Sequence, residues 1–329
     1  MPTPQRILGI PATRRGVFSD ADIASAKPIA PVNALKHVLA FVALLLVFSL
    51  VPAQATDYKR EVIDPSYQHD KYGTLPRDIV REFRAYIVSF DSKDDDDGDR
   101  KPDIRGIPEW VSYEMREYPR KLRRGPARPS TWITDSELYE AGIAPSDATY
   151  AYPSAFRKAH KNWYARGHLC MKEHAWRLGA AADWNTHTVL NAVPQREYFN
   201  SGIWLDLEKK TAAWADKYGA VWIIAGPVFK NKKPSRWLGE EGDLKIAIPD
   251  ALFKIVIRES DDPQRPHVLA FLYPQECEDC TSPKGPFDHR QYLTSVKNIE
   301  ARTGLNFFTT LPAADQRAIE SDAAKTLWQ

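Results

Sequence analysis

Apolar positions recur along most of the chain in two rhythms. Runs of β-branched and aromatic residues bounded by turn formers predict strands at "RAYIVSF" (84–90), "EWVSYEM" (109–115) and "HTVLNAVP" (187–194, ending at Pro194). Four more follow: "AVWIIAGPVF", "LKIAIP", "FKIVIRE" and "HVLAFLYP". A helical rhythm predicts a short element at "EHAWRLGAAAD" and a long amphipathic helix from about Gln195 to Tyr218, with Ile203, Leu207 and Trp214 facing the core. "RQYLTSVKNIEARTG" (290–304) predicts a helix stopped by Gly304, and the last stretch is helical too. Residues 56–82 give only a loose lead-in with one short helix. The class is α+β, with a mixed, mainly antiparallel sheet flanked by helices in one domain over 57–315 and a C-terminal helical tail over 316–329.

The first 55 residues follow a different pattern. "VLAFVALLLVFSLV" comes after Lys36 and His37 and is followed by "PAQA", with Ala53 and Ala55 at cleavage spacing. About 14 apolar residues are fewer than the ~20 that span a bilayer, so 32–55 read as a signal peptide of a secreted or periplasmic protein with no stable membrane association after cleavage. Residues 1–31, ahead of the basic flank, read as a non-structural extension, with translation starting near Val32.

Charge then narrows the possible partners. The 329 residues carry 45 Lys+Arg and 43 Asp+Glu; without 1–55 the balance is 40 to 41, so no global basic field exists. Attraction to nucleic acid would rest on local patches, "RKLRRGPAR" (Arg120 to Arg128) and "KNKKPSR" (Lys230 to Arg236), each of which is also an ordinary solvated loop. Three cysteines are too few for a disulfide scaffold; Cys277 and Cys280 can close a local loop, leaving Cys170 unpaired. Asp95, Asp97, Asp99 and Asp103 fall at calcium-loop offsets, but Arg100 and Gly106 occupy positions that such a loop gives to Gly and an acid. A solvated acidic hairpin tip fits that turn better than a Ca2+ site.

The densest chemistry is "YARGHLCMKEH" (164–174). A zinc set of His168, Cys170 and His174 lacks a standard spacing and a fourth ligand. His174 reads as a structural histidine, whereas His168 follows Arg166, a permanent cation suited to phosphate, and Gly167, read here as a turn that lets backbone approach closely. Further on, "NAVPQREYFNSGIWLDLE" sets Asn191 at a strand end and Asn200 and Glu208 on one helix, about 12 Å apart along its axis. An amide oxygen suits a hard cation such as Mg2+, and Glu208 could hold one of its waters.

The elements "ARGH", "NAVPQ" and "NSGIWLDLE", supported by "PEWVSYEM", "AGPVF", "IAIPDALFKIVI" and "SVKNIEARTGLNFF", resemble the DNA/RNA non-specific endonuclease family, the ββα-metal nucleases that include endonuclease G. The resemblance implies a ββα-metal fold and hydrolysis of DNA and RNA through the phosphate backbone, leaving 5′-phosphates. It implies His168 as general base, Asn200 as direct ligand of Mg2+ (or Mn2+), Glu208 as catalytic partner through a metal-bound water, Arg166 on phosphate and Asn191 beside the substrate. Ala165 departs from the family's Asp, "CMK" from its usual Ala-Pro, and Ala212 from an Arg of some members, for which Lys209 or Lys210 would substitute. A neutral imidazole base predicts activity falling as pH drops through about 6.5. Tyr198, Phe199 and Trp204 could stack bases, but their helical position favours the core. Two other readings stay open: a catalytically weakened nucleic-acid-binding protein, and a phosphodiesterase for a small substrate. A protein inhibitor or a homodimer cannot be read from these residues.

Overall fold

The computed structural model describes residues 64–76, 79–92, 104–119, 125, 127–151, 163–240 and 242–329. The apolar run at 38–51, the acidic turn with Asp95, Asp97, Asp99 and Asp103, and Arg120 to Arg124 lie outside these residues.

Seven strands form the central sheet in the order β1-β2-β3-β6-β9-β10-β11, every named neighbour antiparallel. They are β1 (Ile79–Glu82), β2 (Ile87–Phe90), β3 (Pro108–Arg116), β6 (Ala220–Val228), β9 (Ala251–Arg258), β10 (His267–Pro274) and β11 (Leu293–Thr294). A separate ribbon pairs β4 (Tyr164–His168) with β5 (Ala192–Arg196), and a smaller one pairs β7 (Trp237–Leu238) with β8 (Ile246–Ala247). The helices that matter for the site are α1 (Lys172–Ala175), α2 (Ala180–Asn185), α3 (Leu205–Tyr218), α4 (Val296–Thr303) and α5 (Ala313–Ser321).

The middle strands read as nearly continuous apolar runs because both faces of the sheet are covered. Period-two alternation sends Val221, Ile223 and Ala225 of β6 into one core with Leu207 of α3, and Trp222 and Ile224 into another with Val296 and Ile299 of α4. On β9 the same alternation puts Leu252, Lys254 and Val256 on the α3 side, so a lysine with no exposed surface stands in an apolar row.

Five local readings of the sequence need correction. β1 was missed: it is four residues with only one fully buried, too short and too polar to stand out, and its pairing to β2 makes it a strand. Pro194 lies inside β5 rather than ending it, which a two-stranded ribbon tolerates because only one edge of β5 is paired. The stretch from Gln195 to Tyr218 is not one helix: a turn at Glu197–Phe199 and a π turn at Asn200–Trp204, kinked at Gly202 (φ −103°, ψ −110°), precede α3. α4 begins only at Val296, where the Ser295 side chain accepts from the Asn298 N–H, and Gly304 (φ 74°) ends it. The tail is helical only over Ala313–Ser321 and belongs to the domain rather than trailing from it. Trp328 packs edge-on against Trp214 at 5.3 Å, and the Tyr218 hydroxyl donates to the Gln329 carbonyl.

Ile203, Leu207 and Trp214 are buried as their spacing predicts, and so are Phe199 and Trp204. Cys277 and Cys280 are disulfide-bonded and Cys170 is free and buried.

Candidate active site

His168 ends β4, opposite Ala192 on β5. Gly167, next to it, is a strand residue and not a turn; the glycine is needed because the Gln195 side chain crosses it, and a Cβ there would stand 2.1 Å from Gln195 Cδ. Beyond His168 the chain is fixed by Asn191, whose Oδ1 accepts from the Cys170 N–H (2.8 Å) while Nδ2 donates to the carbonyls of Cys170 (2.9 Å) and Thr186 (3.0 Å). Fully buried and spent on backbone, Asn191 positions the loop after His168 rather than lying open beside a substrate. The expectation of direct substrate contact is corrected accordingly.

The His168 ring lies 4.6 Å from Trp132 and edge-on at 5.6 Å from His187. Trp132 is carried there by a bridge in which the Ile133 N–H donates to the His187 carbonyl (2.7 Å). His168 Nε2 is shielded from solvent and makes no hydrogen bond among the described residues. Burial, and then the positive surroundings of Arg128, His187, Arg166 and Lys172, hold the His168 pKa well below the usual histidine value. His187 is fully buried and its pKa is pushed down to about 4, chiefly by burial. A buried pair, Lys172 Nζ to Asp183 Oδ1 at 2.7 Å, lies close by on α1 and α2.

Arg166 stacks over Trp132 (5.1 Å) and pairs with Asp147, from the turn Asp147–Tyr150. A carboxylate thus meets the motif's arginine although Ala165 supplies none. Arg166 keeps about a quarter of its side chain exposed, enough to meet an incoming anion.

Asn200 opens the π turn, and Trp204, which closes it, donates its indole N–H to the His168 carbonyl (3.4 Å). That contact brings the two motifs together. The half-buried Asn200 carboxamide makes no hydrogen bond among the described residues. Gly202 in the same turn is packed under the loop that follows the disulfide: a Cβ would meet the Ser282 carbonyl oxygen at 3.1 Å and Pro283 Cα at 3.2 Å.

Glu208 is buried on α3, facing Lys254 Nζ at 3.7 Å, and Lys254 in turn sits 4.1 Å over the Trp204 ring. Burial raises the Glu208 pKa to about 7 even though Lys254 opposes the shift, and Oε1 has no hydrogen bond. The kink at Gly202 removes the single-helix geometry behind the expected 12 Å rise from Asn200 to Glu208. His174 is structural as expected: its Nδ1 lies 2.9 Å from the Tyr113 hydroxyl and its Nε2 3.0 Å from the Glu208 carbonyl. With both His174 nitrogens so engaged, His168, Cys170 and His174 do not come together as a metal-holding group among the described residues.

Lys209 is exposed on α3; Lys210 is tied to Asp206 (3.7 Å), which also receives His289 Nε2 (2.8 Å). Of the basic patches, Lys230, Lys232 and Lys233 are exposed, but Arg236 is held by Glu276 (2.8 Å) and Tyr164 (3.1 Å).

Among the described residues no group of three or more His, Cys, Asp and Glu could hold a metal ion. An open amide oxygen at Asn200 fits a hard cation that keeps most of its waters. Trp132, His187, Asp147 and Lys254 escaped the sequence reading. Lys254 alone left a trace, a charge inside "FKIVI".

The family model described as DNA/RNA non-specific endonuclease matches residues 77–314. The nuclease of Serratia marcescens is 29% identical over 218 residues, covering 64% of this chain and 72% of that protein. The mitochondrial nuclease EXOG of Danio rerio is 27% identical over 162 residues, and the matched part spans 44% of that protein. A solved structure, "Crystal structure of the EndoG/EndoGI complex: Mechanism of EndoG inhibition", shares the fold with a TM-score of 0.55 at 20% identity, covering 74% of this chain and 91% of that one.

Proposed function

Because the chain belongs to the DNA/RNA non-specific endonuclease family, we propose that it hydrolyses phosphodiester bonds of DNA and RNA with Mg2+ held at Asn200, leaving 5′-phosphates. The observation that carries this reading is the weakly basic His168 imidazole, without a hydrogen bond at Nε2, beside a part-exposed guanidinium, on a strand end tied to the turn that bears Asn200.

His168 takes the proton of the attacking water, and its depressed pKa keeps it neutral and competent at physiological pH. Arg166 exchanges part of its pairing with Asp147 for a phosphate oxygen, and Trp132 keeps both Arg166 and His168 in place. A divalent cation would be held by Asn200 and would supply charge stabilisation to the phosphoryl group. Glu208, buried against Lys254, would hold a water of that cation. Contacts of this kind read backbone rather than base edges, so cleavage is insensitive to sequence and weakens with salt. The apolar run at 38–51 with its A-x-A site supports export of the mature chain.

The test is incubation of the purified protein with plasmid DNA and with RNA, with Mg2+ or with chelator. The expected result is degradation of both, abolished by chelator and reduced at least 100-fold in His168→Ala and Asn200→Ala. Full activity in His168→Ala overturns the assignment; a gel shift without cutting replaces the hydrolase with a binding protein.

A further inference from the structure

Trp184, on α2, is 47% exposed, an unusual state for an indole. Its neighbours Ala182, Asp183 and Asn185 carry the buried face of that short helix. The Trp184 ring lies 6.4 Å from His187, which stands 5.6 Å from His168. Trp184 is therefore no farther from His168 than those two spacings laid end to end. Of the three aromatic residues suggested by sequence for stacking, Phe199 and Trp204 have no exposed surface and Tyr198 is half-buried. Positive charge borders the same array: Arg166 packs on Trp132, and the largely exposed Arg128 acts electrostatically on both His168 and His187.

We propose that Trp184 is a nucleobase-stacking platform that receives an unpaired base beside the phosphate attacked at His168, and so favours single-stranded or locally opened substrates. This rests on the phosphodiester reading above. A duplex hides its base faces between neighbouring pairs, so an indole platform can be used only when a base swings out, whereas every base of a single strand presents a face irrespective of sequence. Arginines at the border would track the backbone while the indole holds the base.

The test uses short single-stranded oligonucleotides with one cleavable linkage, either with normal bases on both sides or with abasic residues there. Wild type is expected to cleave the intact form with kcat/KM about tenfold above the abasic form, the size of one base–aromatic stack. Trp184→Ala brings that ratio to about one, and Trp184→Phe restores part of it. Equal discrimination by wild type and Trp184→Ala, or an equal slowing of both substrates, overturns the platform. Binding of the same two oligonucleotides in chelator separates the two readings: a tenfold preference lost in Trp184→Ala without any cleavage in Mg2+ leaves the platform standing and defeats the hydrolase. Absence of any binding preference in wild type defeats the platform even if cleavage is fast.

Discussion

The side chain of Gln195 lies across Gly167, so close that a methyl group at 167 would fall 2.1 Å from Cδ and 2.3 Å from Cγ. Both positions are buried on the β4–β5 ribbon that presents His168. Gly167→Ala should therefore destabilise the protein by about 1–3 kcal/mol through overpacking and lower activity by displacing His168. Adding Gln195→Ala should return most of that loss, a coupling that thermal or denaturant unfolding of the single and double variants measures.

The acid limb of the pH–rate profile should lie below pH 6.5. Because the pKa of His168 is depressed, the neutral base persists as pH falls past the ordinary histidine value and is lost only when the lower pKa is reached. A kcat/KM profile that halves at 6.5 or above would place His168 in a more solvated setting.

His174 links stability to pH in the same direction. Its pKa falls to about 3 in the folded state, mainly through burial, against about 6.5 unfolded, so below pH 6.5 the unfolded chain binds a proton that the native one refuses. His174→Gln should cost about 2 kcal/mol at pH 7 by disturbing the bonds to Tyr113 and Glu208. Its deficit relative to wild type should shrink as pH drops from 6.5 towards 4, seen as converging unfolding midpoints.

Lys254→Met should leave Glu208 buried without its partner. The cost should be about 3–5 kcal/mol at pH 8, where loss of Lys254 lifts the Glu208 pKa above about 7 and the carboxyl must stay protonated against solvent or ionise unpaired, and clearly less at pH 5.5, where it is protonated in wild type too. Combining Lys254→Met with Glu208→Gln should recover stability at pH 8; unfolding curves at the two pH values check both statements.

Much of this was legible in sequence because it is repetitive or local. The apolar rhythm gave β3, β6, β9 and β10, and the resemblance carried by "ARGH", "NAVPQ" and "NSGIWLDLE" pointed to His168, Asn200 and Glu208 as candidates. The rest depends on contacts remote along the chain. No local pattern announces that Asp147 pairs with Arg166, that His187 and Trp132 flank His168, or that Asn191 spends its amide on backbone. The kink at Gly202 was hidden for a related reason: its neighbours all suit a helix, and only Ser282 and Pro283 pressing on it reveal why the residue is glycine.

That last contact gives the segment after the disulfide leverage over residue 200 from far downstream. Substitutions at 282 or 283, or a thiol-rich compartment that opens Cys277–Cys280, would slacken the brace on the π turn while leaving every residue named in the chemistry in place. The placement of Asn200 would then become a property inherited from a remote loop, tunable by sequence drift at positions outside the motifs.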